Sequence, residues 1–159
     1  MINNDILRRV RFIFDLSDTT IVEIVGLAGV EVSPEQVIAW LKKDTSQTFQ
    51  KCSDSQLAVF LNGFINYRRG KKKGAQPEPE QQLTNNIIFQ KLKIALDLQA
   101  EDVLEILDLA NIHISKHELS ALFRKPGHKH YRDCSDKVLQ GFLDGVQIMY
   151  SRDSQSEID

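Results

Sequence analysis

Slid along itself by 82 residues, the sequence matches itself without a gap from Asn3 on Asn85 to Asn66 on Ile148. Asn4 falls on Asn86, Ile6 on Ile88, Asp15-Leu16 on Asp97-Leu98, Glu23-Ile24 on Glu105-Ile106, and Leu27-Ala28 on Leu109-Ala110. The run Cys52-Ser53-Asp54 returns as Cys134-Ser135-Asp136, with Leu57, Phe60, Leu61 and Gly63 answered by Leu139, Phe142, Leu143 and Gly145. A chain built this way folds one supersecondary unit twice, so any reading of one half must hold in the other.

Each half carries four helical patterns. The first places Ile6, Val10, Ile13 and Phe14 on one face, and the second copy answers with Ile88, Leu92, Ala95 and Leu96. In the second helix Ile21, Ile24, Val25 and Ala28 face inward, matched by Val103, Ile106, Leu107 and Ala110. Gly29 and Asn111 then suit the left-handed position that ends a helix. Ser33 and Ser115 are N-caps of the third helix, with Pro34 at its first position and Gln36 or Glu118 completing a capping box. Val32 with Val37, and Ile114 with Leu119, stand at the spacing of a hydrophobic staple. Ser53 and Ser135 cap the fourth helix, whose inward residues are Leu57, Phe60, Leu61 and Phe64, then Leu139, Phe142, Leu143 and Val146.

The predicted fold is therefore all-α, two tandem four-helix units packed together with internal pseudo-symmetry, because a unit of some 65 residues buries only about 60 % of its unfolded surface alone. The first repeat spans 1–69 and the second 84–150. Between them, 70–83 reads GKKKGAQPEPEQQL, a linker by composition, and 151–159 reads as a disordered polar tail. A net charge of −2 supplies no global attraction to nucleic acid or anionic lipid, so any such attraction must be local. The first ten residues are too polar for a signal peptide, and no uncharged run nears the roughly 18 residues a membrane span needs. The sequence thus predicts a cytoplasmic protein with Cys52 and Cys134 as free thiols.

The opening Asn3-Asn4-Asp5, the aromatic-x-x-Cys-Ser-Asp run before each last helix (Phe49 to Asp54, Tyr131 to Asp136), and Phe60-Leu61-Asn62-Gly63 echoed by Phe142-Leu143-Asp144-Gly145 resemble the YehS-like bacterial family. The resemblance covers nearly the whole chain. It implies the duplication and a bacterial cytoplasmic setting, and it carries over no catalytic or binding residue.

Each chemical motif has a structural counterpart. A thiol before a helix start can be activated by the helix dipole, yet Cys52 with Leu57 and Cys134 with Leu139 also stand at staple spacing, the preferred reading. His113, His117, His128 and His130 all belong to the second copy. His113 precedes the Ser115 cap, so it shares no helix face with His117 and no metal site is predicted. The Asn3-Asn4 and Asn85-Asn86 pairs are read as N-caps of the first helices. Gly63 and Gly145, inside a helix, mark a close helix-helix approach. The second and third helices suggest a helix-turn-helix, but the first turns of the would-be recognition helix offer Pro34, Glu35 and Gln36 rather than base-reading cations.

Positive charge recurs at four equivalent places, Arg9, Arg11, Lys42 and Lys43 against Lys91, Lys93, Arg124 and Lys125. Two basic clusters stand out: Arg68, Arg69, Lys71, Lys72 and Lys73 running into the linker, and Arg124, Lys125, Lys129 and Arg132 with Tyr131 interleaved. Aromatic and basic side chains in alternation suit single-stranded nucleic acid, whereas Phe49 and Tyr131 equally suit anchoring a loop to the core. No phosphate-cradling loop, nucleophile elbow or dinucleotide fingerprint appears, so neither an enzyme nor a cofactor is predicted. The predicted function is a regulatory interaction module that binds RNA or DNA through these clusters. The alternative is a protein-protein adaptor with an apolar groove between the repeats, for which Trp40 is a candidate contact.

Overall fold

The computed structural model describes residues 1–71 and 73–158, with side chains described through residue 151. Eight helices, and no strand, are present among the described residues. The chain divides into two compact units, Met1–Leu83 and Thr84–Asp159. The first contains α1 (Asn3–Phe14), α2 (Asp18–Leu27), α3 (Pro34–Leu41) and α4 (Asp54–Arg69). In the second, α5 (Asn85–Ala95), α6 (Ala100–Leu109), α7 (Lys116–Leu122) and α8 (Asp136–Ile158) follow in the same order.

In each unit the second and last helices form the closest pair, α2 on α4 and α6 on α8, and the short third helix packs on the second. Gly63 sits where α4 crosses α2, and a Cβ there would overlap the Ile24 carbonyl oxygen. Gly145 repeats this against Ile106, so both glycines exist to let two backbones approach. Ile21, Ile24, Leu57, Phe60 and Phe64 are fully buried in one unit, and Val103, Ile106, Phe89, Leu139 and Phe142 in the other. Leu7 and Phe89, which the periodicity of the first helices leaves out, are also fully enclosed, whereas Ile13 and Phe14 are only half-buried.

The end signals act as the sequence predicts at most positions. Ser33, Ser53 and Ser115 each accept a hydrogen bond from the backbone amide three residues on, and Ser135 does so from Val138. Ser53 with Gln56 and Ser115 with Glu118 close full capping boxes, but the Gln36 side chain turns away to Gln50. Gly29 and Asn111 adopt φ of 84° and 59°, and Asp15 and Asp97 take 52° and 54°, so left-handed residues recur at equivalent positions. The helical span of α8 continues through residue 158, past the end set at 150 for the second repeat, because Ser151 to Ile158 contains no glycine or proline to stop it.

The linker is tied to the first unit. Asn66 donates from Nδ2 to Gln76 Oε1 at 2.7 Å, and the Leu83 amide donates to Asp54 Oδ2 at 2.9 Å, so both anchors are side chains of α4.

Candidate functional site

The loop that enters each last helix is held by the asparagine pair of the first helix. Asn4 donates from Nδ2 to the carbonyls of Trp40 and Gln50, each at 2.9 Å, and its Oδ1 accepts the Cys52 amide at 2.9 Å. Asn86 makes the same three bonds to Leu122, Arg132 and Cys134 at 2.9, 2.8 and 3.0 Å. Asn3 and Asn85 reinforce this, donating to the Cys52 or Cys134 carbonyl and to Asp54 or Asp136 at 2.7 Å. These bonds replace the expected N-cap role, which falls to Ile2 and Thr84 one position earlier in each copy. A capping side chain must lie outside the helix, and both asparagines of each pair lie within its first turn.

Cys52 and Cys134 are buried free thiols. Burial, helped by the neighbouring Asp54, pushes the Cys52 thiol up to about 12, and burial with Asp136 pushes Cys134 to about 11. Desolvation thus outweighs any help from the helix dipole, and both cysteines are buried as small hydrophobes, as Leu57 and Leu139 are.

Each basic cluster lies within one unit. Arg68 lies with its guanidinium 5.1 Å from the centroid of the Phe14 ring, and Arg69, Lys71 and Lys73 are exposed at the end of α4 and the start of the linker. Lys72 lies outside the described residues. In the second unit, α7 divides the other cluster between two concave surfaces, with Arg124 on one side and Lys129 and Arg132 on the other. Lys125 is exposed.

On the first surface, a hollow of about 370 Å³ gathers Lys93, Lys116 and Arg124 around Phe123 and Ser120. The Lys93 ammonium stands 5.2 Å from the Phe123 ring centroid, and Phe89 meets the same ring edge-on at 5.2 Å. Lys116 pairs with Glu101 at 2.7 Å, an exposed pair that lowers the Glu101 carboxyl and raises the Lys116 ammonium. The first unit lacks this hollow's chemistry. There Arg11 stands 3.8 Å from Asp18, and the positions of Lys116, Ser120 and Phe123 hold Pro34, Ile38 and Leu41. Ala100 replaces Asp18 in the second copy, which removes the carboxylate from beside Lys93.

The second surface is a groove of about 400 Å³ with Ile114, Leu122 and Val138 in its lining and Lys129 and Arg132 at its edge. His117 and His130 lie in it, their rings 6.3 Å apart, and His128 stands 5.5 Å from His130, whose amide donates to His128 Nδ1. His113 is held elsewhere, paired with Asp108 at 2.7 Å. Among the described residues no group of three or more His, Cys, Asp or Glu is disposed to hold a metal ion.

Tyr131 is half-buried, and burial is the main cause raising its phenol, with the neighbouring Asp133 adding to the rise. Sequence reasoning missed Phe123 and Lys116, which no motif marks and which become a pair only when α7 lays them on one side. Trp40 is 3 % exposed and belongs to the core, where its Nε1 has no hydrogen-bond partner among the described residues. Among the described residues no helix is long and apolar enough to cross a membrane.

The chain is 42 % identical over 147 residues to the Escherichia coli (strain K12) protein named "Uncharacterized protein YehS", covering 92 % of this chain and 94 % of that one. No solved structure matches it. The family described as "Protein of unknown function (DUF1456)" matches at residues 3–70 and again at 85–151, one match for each repeat. The break between the matches coincides with the linker, and the duplicated helical unit is the family's own domain: the chain belongs to the DUF1456 family.

Proposed function

We propose that this protein is a non-catalytic, cytoplasmic regulatory module that binds single-stranded nucleic acid through its second repeat. Lys93, Arg124 and Lys125 would meet phosphates, with Phe123 the apolar floor beneath a base. The observation that carries this reading is the divergence of the two hollows: the Asp18 carboxylate beside Arg11 has no counterpart beside Lys93, which stands instead over the Phe123 ring, while the added Lys116 is balanced by the added Glu101. Cations around an aromatic face in an otherwise near-neutral protein give a local field suited to a polyanion with stackable bases. The exposed run from Arg124 to His130 extends that field beyond the hollow.

The test is fluorescence anisotropy with a short labelled single-stranded RNA at several salt concentrations. Binding should weaken as salt rises, with a slope of about −0.7 in log K against log salt for each phosphate neutralised. The triple variant Lys93→Glu, Arg124→Glu, Lys125→Glu should weaken binding by at least about tenfold while leaving the helical content intact. Affinity that ignores both salt and the triple variant would refute the reading.

A further inference from the structure

The first repeat carries an aromatic stack that reaches its surface at the C-terminal end of α4. Phe60 and Phe64 are buried and stacked at 6.0 Å, Tyr67 follows Phe64 at 6.5 Å with 19° between the rings, and Phe14 leans on Phe64 at 5.2 Å. Tyr67 is 47 % exposed, so the stack meets solvent at one end and the core at the other. With the 82-residue offset continued, the second copy holds Val146, Met149 and Leu96 at the places of Phe64, Tyr67 and Phe14, which cannot build such a stack.

Cations gather beside that ring. From Ser55 to Pro77 the chain holds Arg68, Arg69, Lys71, Lys72 and Lys73 and not one acidic residue. Asp15, which follows Phe14 at the end of α1, offsets one of these charges and leaves the region positive. Arg68 and Arg69 occupy the last turn of α4, where they complement the helix dipole, but Lys71 and Lys73 lie past its end. Gly70, at φ 89°, turns the chain out of the helix, and the Asn66–Gln76 hydrogen bond brings it back to the residue before Tyr67. Lys73 is three residues from either end of that loop, so its Cα lies within about 11 Å of both Gly70 and Gln76. In the second copy Lys71 and Lys73 are answered by Asp153 and Gln155, so the charge belongs to the first repeat alone.

We propose that the end of α4 is a second contact for single-stranded nucleic acid, with a base stacked on Tyr67 and the flanking phosphates met by Lys71 and Lys73. Stacking on an aromatic ring requires no particular base, and a ring already held by Phe64 loses little freedom when a base lands on it. The choice of occupant rests on the nucleic-acid reading of the Phe123 hollow, and the site itself shares no residue with that hollow.

The test uses the full-length chain and a short oligouridylate carrying one 4-thiouridine, in the background Lys93→Glu, Arg124→Glu, Lys125→Glu that disables the hollow. Salt-sensitive binding should remain there, and irradiation should crosslink the oligonucleotide within residues 65–73, as located by mass spectrometry. Adding Tyr67→Ala should weaken the remaining affinity at least about fivefold, as the loss of one stacked base does, while Tyr67→Phe should leave it unchanged. Adding Lys71→Glu with Lys73→Glu should weaken it at least about tenfold and flatten its salt dependence. Tyr67 and both lysines are exposed, so these changes spare the core. If the wild-type chain binds and the hollow-disabled chain does not, this proposal is overturned and the hollow reading stands. If binding is lost with the Tyr67 and lysine changes but survives disabling of the hollow, this proposal stands and the hollow reading falls. Absence of binding by the wild-type chain overturns both. Equal affinity of Tyr67→Ala and its parent overturns the proposal as well, and so does binding of phosphatidylglycerol vesicles in place of the oligonucleotide.

Discussion

Asn4 and Asn86 are buried, and each satisfies with one neutral side chain three backbone groups at the two ends of the loop before the last helix. Their partners lie 36 to 48 residues away, so a local rule that puts asparagine at a helix start has no access to them. Replacing Asn86 with alanine removes all three bonds and leaves two carbonyls and an amide without partners in a site that water reaches poorly. At about 1–3 kcal/mol for each buried group left unsatisfied, Asn86→Ala should lower the unfolding free energy by roughly 3 kcal/mol or more in urea titration. A loss under about 1 kcal/mol would show that the clamp is redundant. The cysteines show the reverse case, in which the local pattern placed both in the core, and burial raises both thiols well above neutral pH.

Between elements, the contact of the second and last helices is set by the absence of a side chain. Gly63→Ala and Gly145→Ala each drive a methyl into a carbonyl oxygen of the facing helix, which neither backbone can yield without separating. Each should cost more than about 3 kcal/mol by thermal or urea unfolding, at the upper end of overpacking penalties. Gly26→Ala, at an exposed position in the last turn of α2 with nothing near its Cβ, should instead be neutral or stabilise by up to about 1 kcal/mol. A gain at Gly63 and Gly145 like that at Gly26 would mean that helix propensity rather than the close approach governs. Helix α7 carries the functional argument at this scale. Lys116, Leu119, Ser120 and Phe123 line the hollow, and His117, Glu118, Ala121 and Leu122 line the groove, so one short helix separates the two surfaces.

At the scale of the molecule, each half has its own fully buried centre, with Phe60 and Phe64 stacked at 6.0 Å in the first and Phe89 and Phe142 at 4.5 Å in the second. Residues 1–83 and 84–159, expressed separately, should each show helical circular dichroism and a cooperative but low-stability thermal transition, below about 5 kcal/mol as befits domains this small. A fragment without a cooperative transition would show that its core is insufficient alone. The sequence by itself determined the duplication, the eight helices, the serine caps of the third and last helix of each copy, the stop residues Gly29 and Asn111, and most of the core. All of these are written in short-range spacing, and the second copy checks the first. Only the tertiary structure decided that the asparagines clamp a distant loop, that the linker is tied to α4, and that the second basic cluster is split across α7. Those outcomes depend on which side chains meet across dozens of residues, and a pattern of local periodicity holds no record of such meetings.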